Sequence, residues 1–372
     1  MLRSLLLTCA MAVMPMTAIS ATPPSLAGFD DAVHHWQNRH GSDYARYAPD
    51  DVTAISDNIL LLQHDNGGWI ENRDPARILN TEEKAAALAE KASPDFSFDN
   101  RNIYTQVAYL MTAYEQTGRK DYREAALKGL DLIHSQQMSA CGGWPHTVPA
   151  RQSYHPRLTI ADEVTSGNLH LLRQIKQNAY PFASIDETRR KQSSDSVAAG
   201  EACLLRLQVK QKGQLTGWAG QYDPVTFAPS GGRSFELPAI VSQETVEVLR
   251  YLMTIPDPSP EVIASIEGAV AWLKRSQIDG MRLETFPLPA PVKYDYHTAT
   301  TDRRLVPDPS APPLWARFYD LSDNTVVLAN RDGKRVTSYS DIHPERRSGY
   351  SWYGDWPYHI INVEYPRWKA KR

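Results

Sequence analysis

Three helix ends recur along the chain at one spacing. "ILLLQHDNGGW" closes at Trp69, "IHSQQMSACGGW" at Trp144 and "LQVKQKGQLTGW" at Trp218. The glutamines Gln63, Gln137 and Gln211 stand in register, each 74 residues after the last. A period of this size marks a repeat architecture, whose units stack because none buries its apolar face alone. Two helical stretches lie between successive tryptophans. Ile103, Val107, Leu110 and Tyr114 form one apolar stripe, and Ala126, Leu130 and Ile133 the next. Val164, Leu172 and Ile175, then Leu204 and Leu207, repeat the pattern. A fourth copy, "AVAWLKRSQIDG", keeps Gln277 and Gly280 but lacks the tryptophan. Three or four stacked helical hairpins predict a mainly α fold, a ring or incomplete ring forming an (α/α) toroid with its loops on one face. The Gly-Gly-Trp turns read as structural, glycine ending each helix and tryptophan packing beneath the loop.

Beyond Ile278 the texture changes. Residues 282–316 hold seven prolines, which excludes a long helix there, and the stretch reads as loops. "TVVLANRDGKRVTSYS" reads as a β-hairpin turning at Asp332-Gly333. This tail is expected to wrap the helical domain, giving one domain over residues 21–372. "NTEEKAAALAEKA" from Asn80 reads as a capped surface helix. At the other end, "MLRSLLLTCAMAVMPMTAISA" has the form of a secretory signal: Arg3, an apolar run from Leu5 to Val13, and small residues at Ala18-Ile19-Ser20. Residues 1–20 are expected to be removed and the protein exported, to the periplasm or beyond. The run is too short to span a bilayer, so no membrane partner is expected. A formal net charge of -3 supplies no basic field for nucleic acid. After processing, Cys141 and Cys203 remain, as one bridge or two separate thiols.

Charged residues gather at the loops. "PDFSFDNRNIYTQ" places Asp95, Asp99 and Asn100 just ahead of a helix, and "YHPRLTIADEV" places Asp162 and Glu163 ahead of the next unit's helix. Acids at a helix start serve as caps. Two such clusters in successive repeats also match the loop oxygen donors that calcium takes. Arg233, Arg303, Arg304, Arg317, Arg346 and Arg347 fall outside the helical stretches, and arginine's planar fork pairs with carboxylates. Carboxylates for a metal beside several arginines suit an acidic sugar polymer; ordinary surface ion pairing is the alternative. The sequence contains no GxSxG, HExxH, P-loop or GxGxxG motif. A pair of carboxylates across one glycosidic bond would also serve a toroidal glycoside hydrolase.

The stretches "DNGGW", "CGGWP", "LTIADEV", "QYDPVTFAPSGGRSFELPAI", "DRRLVPDPSAPPLWARFYDL" and "ERRSGYSWYG" run from Asp65 to Gly354. In them the chain resembles the pectate lyases of polysaccharide lyase family ten. That resemblance implies an incomplete (α/α) toroid of the (α/α)3 type and calcium-assisted β-elimination in polygalacturonate, leaving a 4,5-unsaturated end. By motif it assigns Arg233 of "GGRSFE" as the catalytic base and Asp99 and Asp162 as calcium and substrate acids, with Glu163 beside them. Arg317 of "WARFYD" becomes a substrate arginine, and Arg303, Arg346 and Arg347 join it as expected contacts. The cofactor is then Ca2+, the partner a pectin oligosaccharide, and the enzyme a monomer. Two departures border the site: Arg101 and Asn102 stand where small residues are expected, and Ala161 removes a polar group. They leave a non-catalytic oligogalacturonate-binding relative as the rival reading. The glutamine–tryptophan repeat also resembles the motifs of terpene cyclases, but no Asp-rich cyclase motif accompanies it. Gly231 and Gly232 are expected to leave room for a sugar ring.

Overall fold

The computed structural model describes residues 22–372, so the expected signal segment, residues 1–20, lies outside the described residues. Nine helices carry the fold: α1 (Asp30–His40), α2 (Val52–Leu62), α3 (Thr81–Ala89), α4 (Tyr104–Thr117), α5 (Lys120–Gln136), α6 (Val164–Lys176), α7 (Glu187–Leu207), α8 (Ser242–Leu252) and α9 (Pro260–Arg275). The pairs α4–α5, α6–α7 and α8–α9 are hairpins. Helices α4, α6 and α8 pack on one another as an inner row, while α2, α5, α7 and α9 form an outer one. Inner helix α6 buries ten of its thirteen residues, from Val164 to Ile175, so it has core on nearly every side. The rows do not close into a barrel, and the result is the expected incomplete (α/α) toroid. Helix α3 begins at the expected Asn80 cap, with a reciprocal bond from Glu83. Among the described residues, no helix is long and apolar enough to cross a membrane.

One hydrogen-bond pattern builds the repeat. The outer helices α2, α5 and α7 each end in an extended glutamine whose amide donates twice, to its own turn and to a carbonyl on the next outer helix. Gln63 bonds Gly67 and Ala125 at 3.0 and 2.9 Å. Gln137 bonds Gly142 and Ser196 at 2.7 and 2.9 Å. In the third unit the role falls to Gln208, which bonds Thr216 and Ser265 at 2.7 and 2.9 Å. This corrects the register, because Gln211 instead joins a small hairpin, Lys210–Gln211 with Gln214–Leu215. That hairpin lengthens the turn before Trp218, so even spacing selected the wrong glutamine. Gly67 and Gly142 take φ of +92° and +114°. A Cβ on either would lie 2.5 Å from the backbone of the next outer helix, so the docking needs glycine twice over.

The tryptophans complete the pattern. Trp69, Trp144 and Trp218 are buried, and their indole N–H groups donate to Ile59, Ile133 and Leu204 near the ends of the preceding helices, at 2.8, 2.8 and 2.7 Å. The fourth unit has its tryptophan after all. Trp315 donates to Leu273 of α9 at 2.7 Å, although Gln277 merely bonds Asp279. The intervening stretch is not the expected loops. Met281–Lys293 pairs antiparallel with Thr298–Pro307 in a long two-stranded ribbon. Pro287, Pro289 and Pro291 exclude a helix but not this ribbon, whose two strands are both edges and leave outward positions needing no N–H. The hairpin predicted near Asp332-Gly333 forms, pairing Leu328–Ala329 with Arg335–Val336. A disulfide joins Cys141, in the turn after α5, to Cys203 on α7.

The corrected register is testable by urea unfolding. Gln208→Ala strands two buried carbonyls and is expected to cost about 2 kcal/mol, whereas Gln211→Ala is expected to cost less than half as much. Equal losses, or the reverse order, contradict the assignment.

Candidate active site

The strand after each tryptophan carries the chain onto the loop face and pairs with the segment opening the next inner helix. Ser97, Thr159 and Val241 donate their backbone N–H to the carbonyls of Trp69, Trp144 and Trp218 at 3.1, 2.9 and 2.8 Å. Asp99, Asp162 and Glu244 therefore reach one face from three successive units. The fourth unit adds Arg317, two residues beyond Trp315, whose carbonyl accepts from Ser242 N–H at 2.9 Å.

Neither acid cluster caps its helix: α4 and α6 begin without a side-chain cap bond. The backbone turns left-handed at Asn100, Arg101 and Ile103, and again at Asp162 and Glu163. Such conformations cost free energy and persist where surrounding structure holds them. Here they bring Asp99 and Asp162 to one place, where each carboxyl feels the other. Desolvation, the Asp99 charge and the Glu244 charge push the Asp162 pKa well above the usual carboxylate range. For Asp99 desolvation is outweighed by His146, 3.3 Å away, and by Arg233, so its pKa is lowered. Of the two, Asp162 is thus the more readily protonated.

Cations surround the pair. The Arg317 guanidinium, mostly buried, meets the buried Glu244 carboxylate at 3.0 Å, and Glu244 in turn accepts from the Asp162 N–H at 3.3 Å. Arg317 Nε is buried without a partner, a donor left over for an incoming acceptor. Arg233 is 49% exposed, and its charge reaches both Asp99 and Asp162. It meets Glu236 at 2.5 Å. Tyr350 lies between the two arginines, its ring 5.3 Å from the Arg233 guanidinium and 5.0 Å from that of Arg317.

The other expected residues are placed elsewhere. Glu163 turns to Arg101 at 2.8 Å and Tyr104 at 3.4 Å rather than to the acid pair. Arg303 reaches only the Tyr350 carbonyl, at 3.4 Å. Arg346 is buried against Glu345, and Arg347 binds Asp302 and the carbonyls of Ser340 and Ile342. These two arginines hold the C-terminal segments together. The departures at Arg101 and Asn102 are structural too. Arg101 spans Glu163 and Asp31, and Asn102 donates to the carbonyls of Trp69 and Ser97 at 2.8 and 2.7 Å. Sequence reasoning missed His146, Glu236, Glu244, Tyr350 and Glu71, one of whose buried oxygens has no partner. A signal existed for two of them: His146 and Glu71 stand two residues beyond a repeat tryptophan, as the expected Arg317 does.

A carboxyl whose folded pKa is raised stabilises the fold below its unfolded value, and that contribution is lost as pH rises through the folded pKa. In calcium-free, chelator-treated protein, Asp162→Asn is therefore expected to raise stability by about 1–3 kcal/mol, the gain growing from acid to neutral pH. A loss of stability at neutral pH contradicts this charge assignment.

Comparison with known proteins gives the family and the fold. The family model for pectic acid lyase matches residues 63–361. A search of curated proteins gives no match. Among solved structures, a family 10 polysaccharide lyase from Cellvibrio cellulosa is similar with a TM-score of 0.73 at 26% identity, over 92% of this chain and 98% of that one. An aspartate-to-alanine mutant of that enzyme, in complex with trigalacturonic acid, aligns with a TM-score of 0.72 at 25% identity, over 93% and 99%. The match covers most of the chain and the fold agrees from end to end: the chain belongs to the pectic acid lyase family.

Proposed function

We propose that this protein is a pectate lyase that cleaves α-1,4-linked polygalacturonate by calcium-assisted β-elimination, leaving 4,5-unsaturated oligogalacturonides. The observation that carries the reading is the meeting of two carboxylates, Asp99 and Asp162, with two guanidiniums, Arg233 and Arg317, on one face. Acids from the first two repeats confront cations from the last two, which suits a polyanion whose charges must be both bridged and paired.

The donor set fits calcium. Two buried carboxylates from successive repeats interact there, the charge of one opposing ionisation of the other, and oxygen is the ligand calcium takes. Among the described residues, no group of three or more His, Cys, Asp or Glu could hold a metal by itself. Asp99 and Asp162 would thus supply part of the shell, with water and the substrate carboxylate supplying the rest. When bound there, the cation neutralises that carboxylate and acidifies the adjacent C5 proton.

The chain's own residues do the remaining work. Arg317 orients the uronate carboxylate with the Nε–H that no protein group occupies. His146 holds Asp99 in its ionised form. Arg233 accepts the C5 proton, the electron pair forms the C4–C5 double bond, and the C4–O4 bond breaks, O4 leaving on the departing sugar with its electron pair and taking a proton from water. Desolvation favours neutral Arg233, but Glu236 at 2.5 Å outweighs it and raises the arginine pKa well above its ordinary value. The base form is consequently scarce near pH 7, and the rate is expected to climb into the alkaline range.

Ultraviolet absorbance of the unsaturated product tests this reading. Activity is expected to disappear in chelator and return with calcium, and to fall by about 10³-fold or more in Arg233→Ala and Arg233→Lys at every pH. Parent-like product formation by Arg233→Ala, or indifference to chelator, contradicts it. Saturated ends alone would instead mark a hydrolase.

A further inference from the structure

The loop from Pro229 to Glu236 is built around one carboxylate. The Arg233 backbone N–H donates to Glu236 Oε2 at 2.8 Å, and the Arg233 guanidinium donates to Oε1 at 2.5 Å. The Tyr350 hydroxyl donates to the same Oε1 at 2.7 Å. The backbone closes on itself as well: Gly232 N–H donates to the Glu236 carbonyl at 2.9 Å, and Glu236 N–H to the Arg233 carbonyl at 2.8 Å. A Cβ on Gly231 would collide with the Glu236 carbonyl, and one on Gly232 with the Glu236 carboxylate. The two glycines therefore make space for Glu236, not for a sugar ring as the sequence suggested. The loop's flanks are tied down by Arg157, which donates to the Gly231 carbonyl, and by Ser234, which donates to the Arg331 carbonyl at 2.5 Å.

We propose that Glu236 is the positioning residue of this site, fixing the Arg233 guanidinium against the substrate through one carboxylate that binds both the arginine's side chain and its backbone. The inference rests on the reading of Arg233 as the proton acceptor. An arginine side chain has four rotatable bonds, and a guanidinium half exposed to solvent would otherwise sample many orientations. Holding it in one lowers the entropic part of the barrier, since small misplacements of a reacting group are costly. Tyr350 completes the clamp from the opposite side, tethering Glu236 to the C-terminal segment that also backs Arg317.

The arrangement has a cost that makes it recognisable. The groups facing Arg233 are Glu236 and Tyr350 beside it, Asp162 and Asp99 across the site, and Tyr154 and His35 farther out. Glu236, held at about 2 by Arg233 and Tyr350 despite its desolvation, is the nearest anion and ionised throughout the working range. It favours the charged guanidinium and so opposes proton acceptance. A group that positions Arg233 while opposing its neutral form should, when removed, slow the reaction and move its pH dependence in opposite senses.

Steady-state kinetics of Glu236→Ala, Glu236→Gln and Glu236→Asp across pH, on calcium-loaded enzyme, test the inference. Glu236→Ala is expected to lower kcat by about 100-fold with KM within ~3-fold of the parent. Glu236→Gln keeps the shape and one acceptor oxygen; its rising alkaline limb is expected at lower pH than the parent's, with a smaller fall in kcat. Glu236→Asp is expected to restore the parent limb while recovering part of kcat. Circular dichroism and the melting midpoint of each variant give the folded fraction, and if Glu236→Ala does not fold, the limb of Glu236→Gln carries the test. A loss explained wholly by unfolding, a kcat near the parent's, or an unmoved limb in Glu236→Gln overturns the proposal. Activity retained in Arg233→Ala would instead overturn the base assignment on which it rests.

Discussion

The fold depends on an indole N–H bonded to the backbone of the helix before it. Among the described residues, the four tryptophans that close the repeats make this bond, Trp69, Trp144, Trp218 and Trp315, all of them buried. A buried donor left unpaired is expensive, so each indole must find its carbonyl for its ring to be buried at all. The bond fixes the chain's exit from every outer helix. The tryptophan's own carbonyl then takes the N–H of the segment leading into the following inner helix in the first three units. Four exits of one geometry put four sets of loop residues on one face, and the site is a consequence of that repetition.

Each unit makes a different contribution there. Two residues past the tryptophan stand Glu71, His146, Gly220 and Arg317, and the segments that pair with these exits bring Asp99, Asp162 and Glu244. Burying like charges together is unfavourable, and the structure answers it by local pairing. His146 supports Asp99, Arg317 supports Glu244, and Glu236 supports Arg233. Asp162 is the one acid of the set whose neighbours are chiefly other acids, and burial with the Asp99 and Glu244 charges pushes its pKa up. The pair Asp99–Asp162 is thus the place where an added cation gains most, and Arg317 Nε the place where an added anion does.

Much of this was legible in the sequence, because the repeat is written in residues with stringent physical requirements. Tryptophan and glutamine at helix ends, and glycine where the turn meets the next helix, disclosed the toroid, and the family resemblance singled out Arg233, Arg317, Asp99 and Asp162. What failed to show had no local pattern. The hairpin at Lys210–Leu215 shifted the glutamine register, and the ribbon from Met281 to Pro307 moved the fourth tryptophan far from its helix. Arg346 and Arg347 looked available because sequence does not reveal Glu345 and Asp302, which occupy them. Glu236 was hidden inside the motif that named Arg233. Its role appears only when the collisions at Gly231 and Gly232 are seen.

On the proposed function, the protein would supply two calcium carboxylates and the substrate would complete the shell. That arrangement makes calcium and oligogalacturonate mutually dependent ligands, a coupling that thermodynamics requires to be reciprocal. Calorimetric titration of calcium into the protein with and without trigalacturonic acid measures it directly, with Asp99→Asn as the reference. The account predicts calcium binding at least ~10-fold tighter when the trisaccharide is present, and loss of that enhancement in Asp99→Asn. Equal calcium affinity with and without the trisaccharide, or an enhancement that survives Asp99→Asn, would contradict it.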